Sequence, residues 1–258
     1  MPDSVPPSLS VNILFISCFC IDYAILFSII CYFQINEYYF AAWIASIIAP
    51  QIKATDSLWF ILLMTFIINA AWFFGIHNAT FWGLMGPIMF MNLSTNAAQQ
   101  ASGIAPTAIL TESFWVYFVV IGGVGACLSV SILCCFSKSE MIKTVGRISV
   151  LPAFFGISEP ATFGLPMMLN PIFFIPCAFV PTINACIAYF CMNTNIIGKT
   201  YAMLSFNMPS VFGAFLSTGD VKALLLVVAL LILDMVLYYP FVKMYERQQL
   251  KLENKESK

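Results

Sequence analysis

The chain has 258 residues, 61% hydrophobic, 16% aromatic and 9% charged, with a formal net charge of −1 and a mean hydropathy of +0.91. Soluble domains carry about 45–50% apolar and about 25% charged residues, so the composition excludes that class and points to an integral membrane protein. No basic stripe suggests nucleic acid, and the nine cysteines lie scattered in apolar sequence without companion histidines, so they read as small apolar filler rather than metal ligands.

Residues 1–10, opening Met1-Pro2-Asp3-Ser4-Val5-Pro6-Pro7, read as a linker on the outer side, without the basic start of a signal peptide. Residues 11–33 hold one charge, Asp22, and are long enough for a span, which needs about 20 residues. A polar turn, Gln34-Ile35-Asn36-Glu37, precedes a shorter second span over 38–51. Residues 57–91 are apolar but bent at Gly75-Ile76-His77-Asn78, with Gly83, Gly86 and Pro87 beyond. Two arms of about 15–18 residues predict a re-entrant hairpin with its tip at His77, the only histidine. The small, polar stretch 92–106 reads as a loop.

A third span is predicted over 113–136, with Gly122-Gly123-Val124-Gly125-Ala126 as a smooth packing surface. Residues 138–147 read as a charged loop, and 148–170 as a second interrupted hairpin with its tip at Ser158-Glu159-Pro160. A fourth span over 171–192, a mixed segment with Pro209 and Gly213, and a fifth span over 221–239 follow. Residues 243–258 read as a charged cytoplasmic tail, helical at first and then frayed. The expected fold is all-α and polytopic, with about five transmembrane helices and two re-entrant helical hairpins inside a membrane transport domain over 11–242.

The positive-inside rule orients these spans. With the tail inside, Lys138, Lys143, Arg147, Lys243, Arg247, Lys251, Lys255 and Lys258 are cytoplasmic, against Lys53, Lys199 and Lys222 outside. The His77 hairpin then enters from outside and the Glu159 hairpin from inside, bringing the two tips together near the midplane, where transporters place their substrate.

A carboxylate in hydrocarbon costs about 2.5–3.5 kcal/mol, so Glu159 should face protein or water. It either caps a broken helix end or hydrogen-bonds a polar solute, with general-base work on a hydroxyl open to it. His77 can donate to a solute oxygen or orient a carboxylate. Asn78, Ser158 and Asn170 flank the tips and either bind hydroxyls or satisfy broken backbone. Trp72, Phe74, Trp82 and Phe206 are candidates to stack on a sugar face. Asp22 and Asp234 lie inside spans without an assignable role, while Glu112 and Asp220, at span ends, read as solvated.

Five segments sharpen the reading. Trp72-Phe73-Phe74-Gly75-Ile76-His77 is followed by Gly156-Ile157-Ser158-Glu159-Pro160 and Asn170-Pro171-Ile172-Phe173-Phe174-Ile175-Pro176, then by Gly213-Ala214-Phe215-Leu216-Ser217-Thr218-Gly219-Asp220 and Leu237-Tyr238-Tyr239-Pro240-Phe241-Val242-Lys243. Together these resemble the membrane (IIC) component of bacterial phosphotransferase-system sugar permeases, of the lactose/cellobiose/diacetylchitobiose type. The resemblance covers essentially the whole chain and matches the carboxy-terminal, sugar-binding half of such a permease. It implies a multi-pass protein of the bacterial cell membrane that takes up a β-linked disaccharide without a cofactor or metal. It implies that His77 and Glu159 hold the sugar near its 6-hydroxyl, with Gly75, Asn78, Ser158, Phe206 and Trp72 around it. The phosphoryl donor is then a cysteine on a separate IIB protein, itself served by IIA, so the permease is the non-autonomous part of a phosphotransferase complex. The family dimerises through an amino-terminal half that has no counterpart in these residues, which marks the chain as a fragment or one half of a split permease. Asn78 stands where the family usually has glycine, Ser158 where it often has asparagine, and Phe206 where it has a stacking tryptophan. Two rival readings start from the same residues. One is an ion-coupled secondary transporter in which Glu159 carries a proton; the other is an intramembrane metalloenzyme, for which a single histidine is too few ligands.

Overall fold

The computed structural model describes residues 7–35 and 55–256, and all regular structure within them is helical. The chain divides into two compact units, Met1–Gln51 and Ile52–Lys258. The first contains α1 (Pro7–Ile35), whose described side chains, Asp22 included, are mostly exposed. The second span expected over 38–51 and Lys53 lie outside the described residues.

The larger unit opens with α2 (Leu58–Phe73), capped by Ser57, whose Oγ accepts from the Phe60 N–H at 3.4 Å. α2 stops where Gly75 turns the chain at φ +86°, in the left-handed region that glycine enters at no steric cost. α3 (Ala79–Ala101) then runs past the expected end of the hairpin, so residues 92–101 are helix rather than loop. Their polarity has a different cause. Asn92 Nδ2 donates to the Leu110 carbonyl at 2.7 Å, and Asn96 Nδ2 donates to the Ala108 and Thr200 carbonyls at 2.8 Å. Asn96 Oδ1 and Gln99 Oε1 accept from the Thr107 N–H. A segment without ladder partners of its own is thereby satisfied by one helix face. Asp56 serves the same segment, its carboxylate accepting from the Ile109 and Leu110 N–H groups.

The third expected span is not one helix. A short helical turn, α4 (Glu112–Phe114), passes into a π-helical turn (Trp115–Val119), and α5 (Cys127–Cys135) resumes only after a break. Gly122, Gly123, Gly125 and Ala126 all have positive φ there, at +77°, +104°, +74° and +55°. The glycines read as a packing surface are a third interruption of the membrane backbone. Such a break survives in an apolar interior only if its freed groups find partners. The Gly125 N–H donates to Asn69 Oδ1 at 3.2 Å, the Gly125 carbonyl accepts from the Tyr238 hydroxyl, and the Gly122 N–H donates to Ser210 Oγ at 3.4 Å. Asn184 Nδ2 reaches the Val119 carbonyl at 3.5 Å.

The charged stretch expected as a loop is instead the start of α6 (Glu140–Phe154), capped by Ser139. Its charges occupy the outer face while Ile142, Gly146, Ser149 and Ala153 are buried at helical spacing. At Gly146 a Cβ would stand 2.6 Å from the Cys135 nitrogen, so α5 and α6 meet almost backbone to backbone. α7 (Glu159–Gly164) is one and a half turns, and α8 (Pro171–Asn193) packs on α2, with Phe66 and Phe179 at 5.2 Å between ring centroids. Irregular backbone leads to α9 (Ser210–Thr218).

α10 (Val221–Glu256) is continuous through the described part of the expected tail. At 1.5 Å per residue it is about 54 Å long, well beyond a hydrocarbon core of about 30 Å. Its polar end docks on the segment leading into α6. Glu246 accepts from Ser137 Oγ at 2.8 Å and from the Lys138 N–H, and pairs with Lys243 at 2.6 Å. Ser139 Oγ donates to Glu253 at 2.6 Å. Among the described residues three helices are long and apolar enough to cross a membrane, in α1, α8 and α10, with α2 shorter. The protein is a helical integral membrane protein.

Candidate functional site

All three interruptions of the larger unit border one cavity of about 600 Å3. The first gives Trp72, His77 and Asn78, the second Gly156, Ser158 and Glu159, and the third Val120, Gly123 and Val124. Irregular backbone over 203–206 adds Phe206 to the lining.

His77 lies in the turn between α2 and α3. The Ala79 N–H, an orphan donor of the first turn of α3, donates to its Nδ1 at 3.1 Å. An acceptor at Nδ1 assigns the proton of the neutral ring to Nε2, leaving Nε2–H to donate to a bound oxygen. Asn78 stands at the N-cap of α3 but makes no side-chain cap hydrogen bond, so its amide is not committed to the helix.

Ser158 is the N-cap residue of α7, likewise without a side-chain cap bond. Its carbonyl accepts from Thr162 Oγ1 at 2.9 Å, which fixes the turn. Glu159 opens the helix and is exposed on the cavity, with no protein hydrogen bond to its carboxylate among the described residues. The tip is seated against the third break: a Cβ on Gly123 would stand 2.8 Å from Ser158 Cβ.

Six of the seven residues expected at the site, namely Trp72, His77, Asn78, Ser158, Glu159 and Phe206, line the cavity together. Gly75 does not; its part is the turn that presents His77. Trp82 also lines the cavity, whereas Phe74 packs on Phe73 and Phe174 at 5.4 and 5.9 Å. Asn170 is a helix cap, its Oδ1 accepting from the Ile172 N–H at 3.1 Å. Asp220 accepts from the Gly198 and Lys222 N–H groups, and Asp234 accepts from Asn184 Nδ2 at 3.0 Å.

Glu112 departs most from its expected place. It is 5% exposed rather than solvated, and it lines the cavity. Trp115 and Phe163, also in the lining, were not singled out from sequence. A glutamate at the end of an apolar run reads as a solvated boundary, yet Glu112 opens a short helical turn that is buried along its length.

The sequence model described as "Phosphotransferase system, EIIC" matches residues 1–181. Among curated proteins, the lactose-specific EIICB component of the PTS system of Streptococcus mutans serotype c is 34% identical over 255 residues, covering 96% of this chain and 44% of that protein. The corresponding protein of Lactococcus lactis subsp. lactis is 34% identical over 213 residues, 81% of this chain and 38% of that protein. The chain thus spans less than half the length of these relatives. Among solved structures, the transporter ChbC, the IIC component from the N,N'-diacetylchitobiose-specific phosphotransferase system, superposes with a TM-score of 0.79 at 26% identity, covering 98% of this chain and 60% of that one.

Proposed function

The chain belongs to the EIIC family of the phosphotransferase system, and from that premise we propose that its cavity binds a sugar with a 6-hydroxyl held between His77 and Glu159. The observation that carries this is their convergence: two ionisable residues from separate helix breaks border one cavity. Its volume of about 600 Å3 falls within the range of about 300–1,000 Å3 typical of small-molecule sites. Names of the relatives, lactose-specific and diacetylchitobiose-specific, favour a β-linked disaccharide.

In this reading His77 Nε2–H donates to the hydroxyl oxygen and the Glu159 carboxylate accepts the hydroxyl hydrogen. Trp72, Trp82 and Phe206 offer flat apolar surface for sugar rings. A phosphorylated IIB partner, fed by IIA, supplies the phosphoryl group from its cysteine. The S–P bond breaks, the O–P bond forms, and the hydroxyl proton passes to Glu159, a general-base step of the kind a positioned carboxylate performs. The sugar phosphate is then released on the cytoplasmic side.

The test is binding of lactose and of N,N'-diacetylchitobiose to the chain in lipid nanodiscs, by calorimetry. Glu159→Gln is expected to weaken binding about 10–150-fold, the worth of one charge-assisted hydrogen bond, and His77→Ala about 2–10-fold, the worth of a neutral one. Glu159→Gln should also abolish sugar phosphorylation by phospho-IIB. Unchanged binding in both variants would sink the assignment, and Glu159 would then be a helix-end cap.

A further inference from the structure

The charged lining of the cavity is one-sided. Glu159 and Glu112 contribute carboxylates, His77 an imidazole, and neither lysine nor arginine borders it among the described residues. Glu112 is poorly neutralised by its own neighbourhood. Ser113 Oγ stands 3.3 Å from Glu112 Oε2 but 2.9 Å from the Ala202 carbonyl. A hydroxyl has one hydrogen to give, and the shorter contact claims it. The ion pairs among the described residues, Lys143 with Glu140 and Lys243 with Glu246, leave Glu112 without a cation. A site built to hold a phosphate would carry the opposite set, with arginine or lysine aimed at the anion.

Resting on the sugar reading of the cavity, we propose that Glu112 is a specificity-determining residue that makes the site reject the phosphorylated sugar while admitting the neutral one. Phosphorylation then changes the occupant from neutral to anionic inside a cavity already holding two carboxylates. The product is expelled by the same walls that held the substrate, and sugar phosphate from the cytoplasm is kept from rebinding.

The size of the effect follows from the dimensions. A sphere of the cavity's volume is about 10 Å across. Two unit charges at about 10 Å in an effective dielectric of about 20 change an equilibrium by about tenfold. A phosphate near a charge of −2 is therefore disfavoured about 100-fold by Glu112, and more closely by Glu159 beside the 6-position.

The chain in nanodiscs is titrated with lactose and with lactose 6-phosphate, and the ratio of the two affinities is the readout. In the wild type lactose is expected to bind at least about 100-fold more tightly. Glu112→Gln should narrow the ratio by at least about tenfold, whereas Glu112→Asp, which keeps the charge, should retain most of it. Val116→Lys places a cation in the lining without touching Glu112, and should narrow the ratio even if Glu112→Gln does not fold. A ratio unmoved by Glu112→Gln and Val116→Lys, or narrowed equally by Glu112→Asp, overturns the inference and leaves the sugar site standing. If neither lactose nor N,N'-diacetylchitobiose binds, the sugar reading fails and this inference with it.

Discussion

Replacing Gly123 by alanine tests whether the third break positions the Glu159 tip. Gly123 has φ +104° and ψ −176°, a region occupied almost only by glycine. Placing another residue there costs about 1–3 kcal/mol in backbone strain. The new Cβ would also stand 2.8 Å from Ser158 Cβ, 3.0 Å from the Gly156 oxygen and 3.1 Å from the Ser158 nitrogen. Carbon atoms in ordinary contact sit about 3.5–4.0 Å apart. Two of the three neighbours are backbone atoms, so a rotamer change cannot relieve the clash, and the tip must retreat by about 1 Å. Overpacking of this kind adds about 1–3 kcal/mol. The expected loss is therefore about 2–6 kcal/mol, a large part of the about 5–15 kcal/mol that separates folded from unfolded domains. Glu159 moves with the tip, and a displacement near 1 Å in a reacting site can cost about 100-fold in rate. Gly83→Ala is the matched control: it lies within α3, has ordinary helical φ and has no atom within 4 Å of the added Cβ. It should be neutral or stabilise by up to about 1 kcal/mol. Thermal melts in detergent and disaccharide titrations read both quantities. If Gly123→Ala melts and binds like Gly83→Ala, the seating of the tip on the break is refuted.

Two further predictions concern groups away from the cavity. Burial pushes the Glu246 carboxyl up, but the Lys243 ammonium, the Lys138 N–H and the Ser137 hydroxyl outweigh it and hold the group below its ordinary value of 4.5. A depressed folded pKa means that its stabilisation is present above about pH 4.5 and lost as pH falls through the folded value. Glu246→Gln should therefore melt below the wild type at pH 7, with the gap closing in acid; a gap that widens in acid would contradict the docking of α10 on α6. In the interior, Asn184 Oδ1 and Asp234 Oδ1 are buried acceptors without a donor among the described residues. Asp234→Asn supplies N–H donors in the same shape and should leave the melting temperature unchanged or raised, whereas Asp234→Leu, which leaves the Asn184 amide only its long contact to the Val119 carbonyl, should cost about 1–3 kcal/mol. Equal losses in the two variants would refute this account.

The two helix breaks at Gly75 and Gly156 were legible in the sequence because glycine or proline and an ionisable residue fall together in apolar runs, a combination that hydrocarbon penalises. The third break was not. Gly122, Gly123 and Gly125 satisfy the rule for close helix packing equally well, and what selects the broken form is distant: Asn69 and Tyr238 bonding the backbone of Gly125. Polarity misled in the other direction at Asn92, Asn96 and Gln99, where side chains serving a neighbouring segment look like those of a loop. Glu112 was missed for a related reason, since a single short helical turn, Glu112–Phe114, is too brief to leave a periodic mark of which face is buried. Charges over 138–147 suggested a loop, although Ile142, Gly146 and Ser149 already carried the helical spacing of the buried face.

The partners of the third break have a consequence for the order of assembly. Residues 119–126 are held by Asn69 on α2, Asn184 on α8, Ser210 at the start of α9 and Tyr238 on α10. Apolar helices can enter a bilayer singly and associate afterwards. Every residue bordering the cavity is synthesised before Tyr238, yet the wall formed by Val120, Gly123 and Val124 waits for it. Contacts that close over such sequence separations form slowly, because the intervening chain must be ordered first. Insertion and maturation are thus expected to be separate events: the membrane spans can be in place before the pocket wall is set, and docking of α10 is the step expected to complete it.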